Sequence, residues 1–183
     1  MFNLRGVALK VAGAVAAVFT VNKAIEVGKS IVEATSSYEK YFAVLRNGFR
    51  DEQRASESLQ LIYKFAKDTP YQINEITEAY VRLVNRGFTP TEKELIKIGD
   101  FASTNAKSIT QWVEAIADAE TNQYERLREF GISFQTVGDK VTFTFRGIAK
   151  TVEKNNVGAI RQALLSFGEL NGVVGAMSAR ALS

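Results

Sequence analysis

The sequence predicts a mainly α fold: a long N-terminal helix followed by a multi-helix domain that carries one small antiparallel β-hairpin at about 132–146. Three observations predict it. Apolar residues recur every three or four positions over most of the chain, which is the spacing of one buried helix face. Only two prolines occur in 183 residues, and both lie where turns or helix starts tolerate them. After Gly131 the period switches to alternation, with Ile132 and Phe134, then Val141, Phe143 and Phe145, at every second place.

The first element opens with an apolar run. Gly6 to Val21 carries a single charge, Lys10, and the uncharged stretch Val11 to Asn22 is 12 residues long. A membrane span wants about 18 to 20 apolar residues, so a stable crossing is not favoured. A secretory signal peptide is a further reading, because Arg5 and Lys10 precede an apolar segment with small residues after it. The stripe Val21, Ile25, Gly28, Val32, Thr35, Tyr38, Phe42 and Leu45 runs past Lys23 at helical spacing, which argues for one helix ending near Asn47–Gly48. An apolar helix end needs burial. Val11, Val15, Val18, Phe19, Ile25 and Val32 are therefore the candidates for self-association or membrane contact.

The body follows as short amphipathic helices. Glu52 to Lys67 buries Ala55, Leu59, Ile62 and Ala66, and Thr69-Pro70 breaks it. Asn74 to Asn85 buries Ile76, Tyr80, Leu83 and Val84, with Gly87 as its stop. Thr89-Pro90-Thr91-Glu92 reads as an N-cap threonine, a first-turn proline and an acid closing a capping box. The helix it opens buries Leu95, Ile98 and Ala102. Ser108 to Gln111 reads as a second capping box, before a helix with Trp112, Val113, Ile116 and Ala117 inward. Tyr124, Leu127 and Phe130 face the core from a short helix that Gly131 closes. The hairpin then turns at Gly138-Asp139. A last helix aligns Val157, Ile160, Leu164 and Phe167, and a glycine-containing tail runs from Gly168 without a clear cap. The expected division is 1–48 for the basic, apolar helix and 49–183 for the helical domain with its hairpin.

Composition narrows the chemistry. With no cysteine and no histidine, disulfides, thiolate nucleophiles, zinc fingers and Ser/His/Asp triads are excluded. The net charge of +3 resides wholly in the first thirty residues, where Arg5, Lys10, Lys23 and Lys29 face only Glu26. The remainder is balanced, which weakens a nucleic-acid-binding reading. Carboxylates are the remaining catalytic option. Glu114, Asp118 and Glu125, and Glu92, Glu94 and Asp100, are spaced like solvated helix faces with Lys93, Lys97, Arg126 and Arg128 among them. Asp100, Asp118 and Glu129 are the residues a carboxylate enzyme would use. No EF-hand spacing, Walker loop or dinucleotide fingerprint occurs. Gly168 to Gly172 has GxxxG spacing without the apolar context that gives it meaning. No catalytic residue, cofactor or metal ligand is proposed from these residues.

One stretch resembles a known family. Phe65-Ala66, Thr69-Pro70-Tyr71, Leu83, Gly87, Leu95, Gly99-Asp100 with Ala102, and Arg126-Leu127-Arg128-Glu129-Phe130-Gly131-Ile132 lie in one order. Gly138-Asp139 and Val141-Thr142-Phe143 follow. Over about residues 50–180 this is similar to the N-terminal tape measure domain of tail tape measure proteins from long-tailed bacteriophages and prophages. The resemblance places its structural positions at Pro70, Gly87, Gly99, Asp100, Arg126, Leu127, Phe130, Gly131, Gly138, Asp139 and Phe143.

That resemblance implies a structural virion protein of the tail tube lumen or tip, present in the host cytoplasm during assembly. It would help to set tail length, contact tail tip, baseplate and tube proteins and the assembly chaperones, self-associate, and leave before the DNA. It implies no enzyme activity, no small-molecule substrate and no sequence-specific nucleic-acid contact. Host-membrane contact during ejection is an extension of it. Family members are many times longer, and a single helix of the whole chain would reach only about 270 Å at about 1.5 Å per residue, so a fragment of a longer protein is expected. A membrane-inserting or pore-forming protein using the N-terminal helix is the competing reading.

Overall fold

The computed structural model describes residues 27–181, with side chains from 36 to 180. Val11, Val15, Val18, Phe19 and Ile25 lie outside the described residues, as does the side chain of Val32. Helix α1 (Val27–Phe49) leads to α2 (Glu52–Asp68), α3 (Ile73–Asn85), α4 (Glu92–Thr104) and α5 (Ile109–Ala119). A 3-10 turn over Glu125–Phe130 then enters strands β1 (Ser133–Val137), β2 (Lys140–Phe145) and β3 (Ile148–Glu153). Helix α6 (Val157–Ser166), a short 3-10 turn (Phe167–Glu169) and α7 (Ala176–Ala181) complete the chain. The fold is mainly helical with one small antiparallel sheet.

Helix ends follow local chemistry, with two shifts from expectation. Helix α1 passes through Gly48 and stops at Phe49, and Arg50 rather than glycine takes the left-handed conformation, at φ 55°. Phe49 packs against the core, and the Arg54 guanidinium lies 4.6 Å from its ring centre, so the extra residue is held in place. The second shift is two residues long. The N-cap of α4 is Thr91, paired with Glu94 in a full capping box, and not Thr89 with Glu92. Both spacings satisfy the same pattern, but Pro90 is buried ahead of the cap and Thr89 is left to accept from Arg54. The Ser108–Gln111 box forms as expected. Gly87 sits at φ 77° after α3, where the Phe88 amide donates to the Leu83 carbonyl and that of Gly87 to Val84.

The sheet has three strands in the order β1-β2-β3, so the expected hairpin is incomplete. Gly138 begins the first two-residue turn at φ 56°. Arg146 and Gly147 form the second, both left-handed, at φ 50° and 80°. That turn demands positive φ at both central positions, and Arg-Gly is a less obvious carrier than Asn-Gly. Strand β3 also alternates weakly, as Lys150 takes an inward place between Ile148 and Val152. The C-terminal tail is likewise more ordered than expected, since it contains α7. Val157 is exposed rather than inward, because it occupies the first turn of α6 next to its Asn156 cap.

The core is continuous from α1 to α7. Leu45 of α1 is buried, and Tyr38 and Phe42 rest half-buried beside Tyr63 of α2. Helix α4 is the hub, touching α5, α6, α7 and the turn at Phe167–Glu169. Phe101 projects from it into a cluster with Trp112, Phe130, Phe145 and Phe167, at ring-centre distances from 4.4 to 6.3 Å. Ring pairs in this range add specific attraction to their buried area. Val141, Phe143 and Phe145 are the face by which β2 joins the helices.

Candidate functional site

The motif residues converge on two places, and the first is the α4–α7 junction. Gly99 and Asp100 are buried on α4. The Asp100 carboxylate accepts from the Gly175 amide at 3.0 Å and from the Met177 amide at 3.0 Å, which satisfies two donors at the start of α7. Asp100 is therefore not part of a solvated charged face, contrary to expectation; an acid with two fixed backbone donors can be buried. Gly99 leaves the space that Met177 fills, since a Cβ there would lie 2.2 Å from the Met177 sulfur. Its carbonyl accepts from the Tyr71 hydroxyl at 2.8 Å, and Ser103 shares that hydroxyl at 2.7 Å. Burial pushes the Tyr71 phenol above its ordinary pKa. Arg180 closes the junction with a bond to the Lys107 carbonyl and its guanidinium over the Tyr71 ring. Pro70, half-buried, lies within the α2–α3 connection just before Tyr71.

The second place is the run 126–145. Leu127, Phe130 and Ile132 are buried while Arg126, Arg128 and Glu129 point outward. Gly131 makes the left-handed exit at φ 71°, with its amide on the Arg128 carbonyl and that of Ile132 on Leu127. Phe143 is fully buried against Tyr124, whose ring also meets Phe134. The Asp139 carbonyl, in the turn after Gly138, accepts from the Lys154 amide at 2.8 Å and so ties the hairpin to the end of β3.

Beside this run lies an open hollow of about 640 Å³ lined by Asp118, Asn122, Tyr124, Arg126, Glu129 and Phe134, among others. Its charged groups are already partnered. Arg126 bonds Asp118 at 2.8 Å and Glu114 at 2.9 Å, and the Asp118 bond holds its pKa above the ordinary arginine value. Arg82 bridges Glu114 and Glu78. Glu125 pairs with Arg128, Glu129 with Lys107, and Glu92 with Lys64. Glu94 serves the α4 capping box. Every carboxylate put forward for acid–base work thus has a structural partner. Among the described residues, no group of acids is placed to hold a metal ion, and no helix is long and apolar enough to cross a membrane.

Sequence reasoning missed one internal ion pair. Glu120, at the end of α5, accepts from Arg161 of α6 at 2.6 Å, and both are buried. The Arg161 guanidinium stacks 4.5 Å from the Phe88 ring centre, and Arg86 adds a longer contact to Glu120 at 3.9 Å. No sequence signal marks the pair, because 41 residues separate its members. Gly168 has a use that its GxxxG spacing does not signal, a close approach to the α4 backbone at the Lys97 carbonyl. Compared with protein-family models, curated proteins and solved structures, the chain matches none.

Proposed function

We propose that this chain is the N-terminal helical domain of a phage tail tape measure protein, anchoring that protein at one end of the tail. The observation that carries the reading is the run Arg126–Phe145. Its apolar residues Leu127, Phe130, Ile132 and Phe143 are buried, Gly131 turns the chain left-handed, and Gly138-Asp139 closes the hairpin. The buried residues of that run support the reading, and the Gly99–Asp100 pair adds to it through the α7 junction. A body with one continuous core suits docking to tail tip, tube and chaperone proteins. Helix α1 and the apolar segment before it would supply self-association and, during ejection, membrane contact.

The test is genetic. In a phage or prophage whose genome encodes this chain, an in-frame deletion of residues 49–181 is expected to abolish normal tails in electron micrographs, leaving capsids filled but tailless or carrying tails of irregular length. Normal tails and undiminished plating from the deletion strain overturn the reading. If tails are normal and the purified chain floats with liposomes only when residues 1–30 are present, membrane insertion takes its place.

A further inference from the structure

The sheet has two free edges, and they differ in how they are protected. Strand β3 carries Lys150 and Glu153, with Lys154 directly after it. Charges on an edge strand are a common defence against pairing with another chain. Strand β1 has none. From Gly131 to Gly138 the chain carries no charge and no proline, and Val137 at the end of β1 is 70% exposed. We propose that the outer edge of β1 is a self-association surface, at which β1 pairs antiparallel with β1 of a second copy about a two-fold axis at Gln135, forming one six-stranded sheet.

The hydrogen-bond phase of the hairpin supports this register. A two-residue turn makes Val137 and Lys140 the first bonded pair, so Gln135 with Thr142 and Ser133 with Thr144 are the next. Phe134 and Thr136 therefore direct their amides and carbonyls away from β2, and among the described residues no hydrogen bond reaches those four groups. A two-fold axis at Gln135 sets Phe134 of each copy opposite Thr136 of the other. Those residues then exchange both bonds, twice over, and all four free groups on each strand are satisfied. The faces agree as well. Phe134 and Thr136 lie on the inner face with Val141 and Phe143, while Ser133, Gln135 and Val137 lie on the outer face, so opposed residues share a side. Gln135 meets its own copy as a neutral pair, and β1 itself carries no charge to oppose its counterpart. The hollow beside Phe134 leaves room beneath this edge.

An interface that repeats the same patch on both copies is the commonest closed arrangement for identical chains. A second copy fits better than an unlike strand because uncharged β1 is complementary to itself in register and in hydrogen-bond phase. This surface is distinct from the N-terminal segment, and the inference does not depend on the tail reading.

The absence of native cysteine makes the test clean. Gln135 faces its counterpart as a non-bonded antiparallel pair, where Cα atoms approach to about 4.5 Å, within the span a disulfide bridges. Full-length Gln135→Cys is expected to form a covalent dimer under mild oxidation at least tenfold faster than Thr151→Cys, which sits at the matching outward position of β3. Gln135→Lys is expected to lower the dimer fraction in sedimentation velocity, and an equimolar mixture with Gln135→Glu to restore it. Circular dichroism checks that each variant is folded, as the exposed position allows. Equal cross-linking at both positions overturns the proposal, as does a chain that stays monomeric at high concentration or association that Gln135→Lys leaves unchanged.

Discussion

Gly168 and Gly99 mark the two tightest approaches to α4, and they differ in what stands opposite. A Cβ on Gly168 would lie 2.5 Å from the Lys97 carbonyl oxygen and 2.9 Å from its carbon, which are backbone atoms that cannot step aside. A Cβ on Gly99 would meet the Met177 sulfur, part of a flexible side chain. Gly168→Ala is therefore expected to cost about 1 to 3 kcal/mol, the usual range for overpacking, and more than Gly99→Ala. Urea denaturation of the two variants measures the order, and equal or reversed costs would contradict the packing argument. Asp100 belongs to the same neighbourhood but works through hydrogen bonds. Asp100→Asn retains one acceptor for two amides and is expected to loosen α7, read as faster hydrogen exchange at Gly175 and Met177. These residues show how legibility fails at this scale. From the residues alone Gly99 carries no signal and Asp100 reads as one of a row of solvated or catalytic acids, because their real counterparts, Met177 and Gly175, lie more than 70 positions away. Gly87 and Gly131 were readable from local pattern because the backbone they cap is their own.

Helices were legible where the apolar period and the cap agreed, and their ends were less so where two caps competed. Thr89-Pro90-Thr91-Glu92-Lys93-Glu94 contains two overlapping capping patterns. Burial of Pro90 decides between them, and burial is a tertiary fact. Thr91→Ala removes the oxygen that accepts from the Glu94 amide and is expected to cost about 1 kcal/mol, the typical loss for such a cap. Thr89→Ala removes only an exposed contact with Arg54 at 3.3 Å and is expected to stay within about 0.5 kcal/mol, as for ordinary surface changes. The comparison needs only the two melting curves, and a larger loss at Thr89 would return the cap to the first pattern. Strand β3 shows the opposite difficulty. Its inward positions Ile148, Lys150 and Val152 mix charge with apolar residues, so alternation alone was too weak to announce it. Strand β2 sits in the middle of the sheet and must bury Val141, Phe143 and Phe145 completely, which makes its pattern plain. Edge strands are governed by solvent and by what else they meet, and β1 and β3 answer that demand in different ways.

Across the whole molecule, buried phenols join helices that composition could only count. Tyr80 of α3 bonds Ser58 of α2, and Tyr71 bonds the Gly99 carbonyl and Ser103 of α4. Burial is the largest influence on both and raises their pKa above the ordinary tyrosine value of 10.0. The consequence for stability has a definite sign. Below pH 10 the phenols are protonated in both the folded and the unfolded chain, and their contribution is complete. As pH rises past the unfolded value, the unfolded chain releases its protons first while the folded chain retains them, so stability falls until the folded phenols ionise in turn. While a phenol is protonated only in the folded state, it steepens the fall by about 1.4 kcal/mol per pH unit. Because these two side chains connect α2, α3 and α4, the loss is expected as one cooperative alkaline transition of the helical body. Tyr80→Phe separates this effect from lysine titration. It sacrifices the Ser58 bond and lowers stability at neutral pH, yet it is expected to flatten the decline above pH about 10, since one phenol no longer titrates. Denaturant midpoints at pH 8, 10 and 11 for both proteins, with ultraviolet titration of the tyrosines, measure the difference, and parallel declines would show that Tyr80 does not contribute to the alkaline limit.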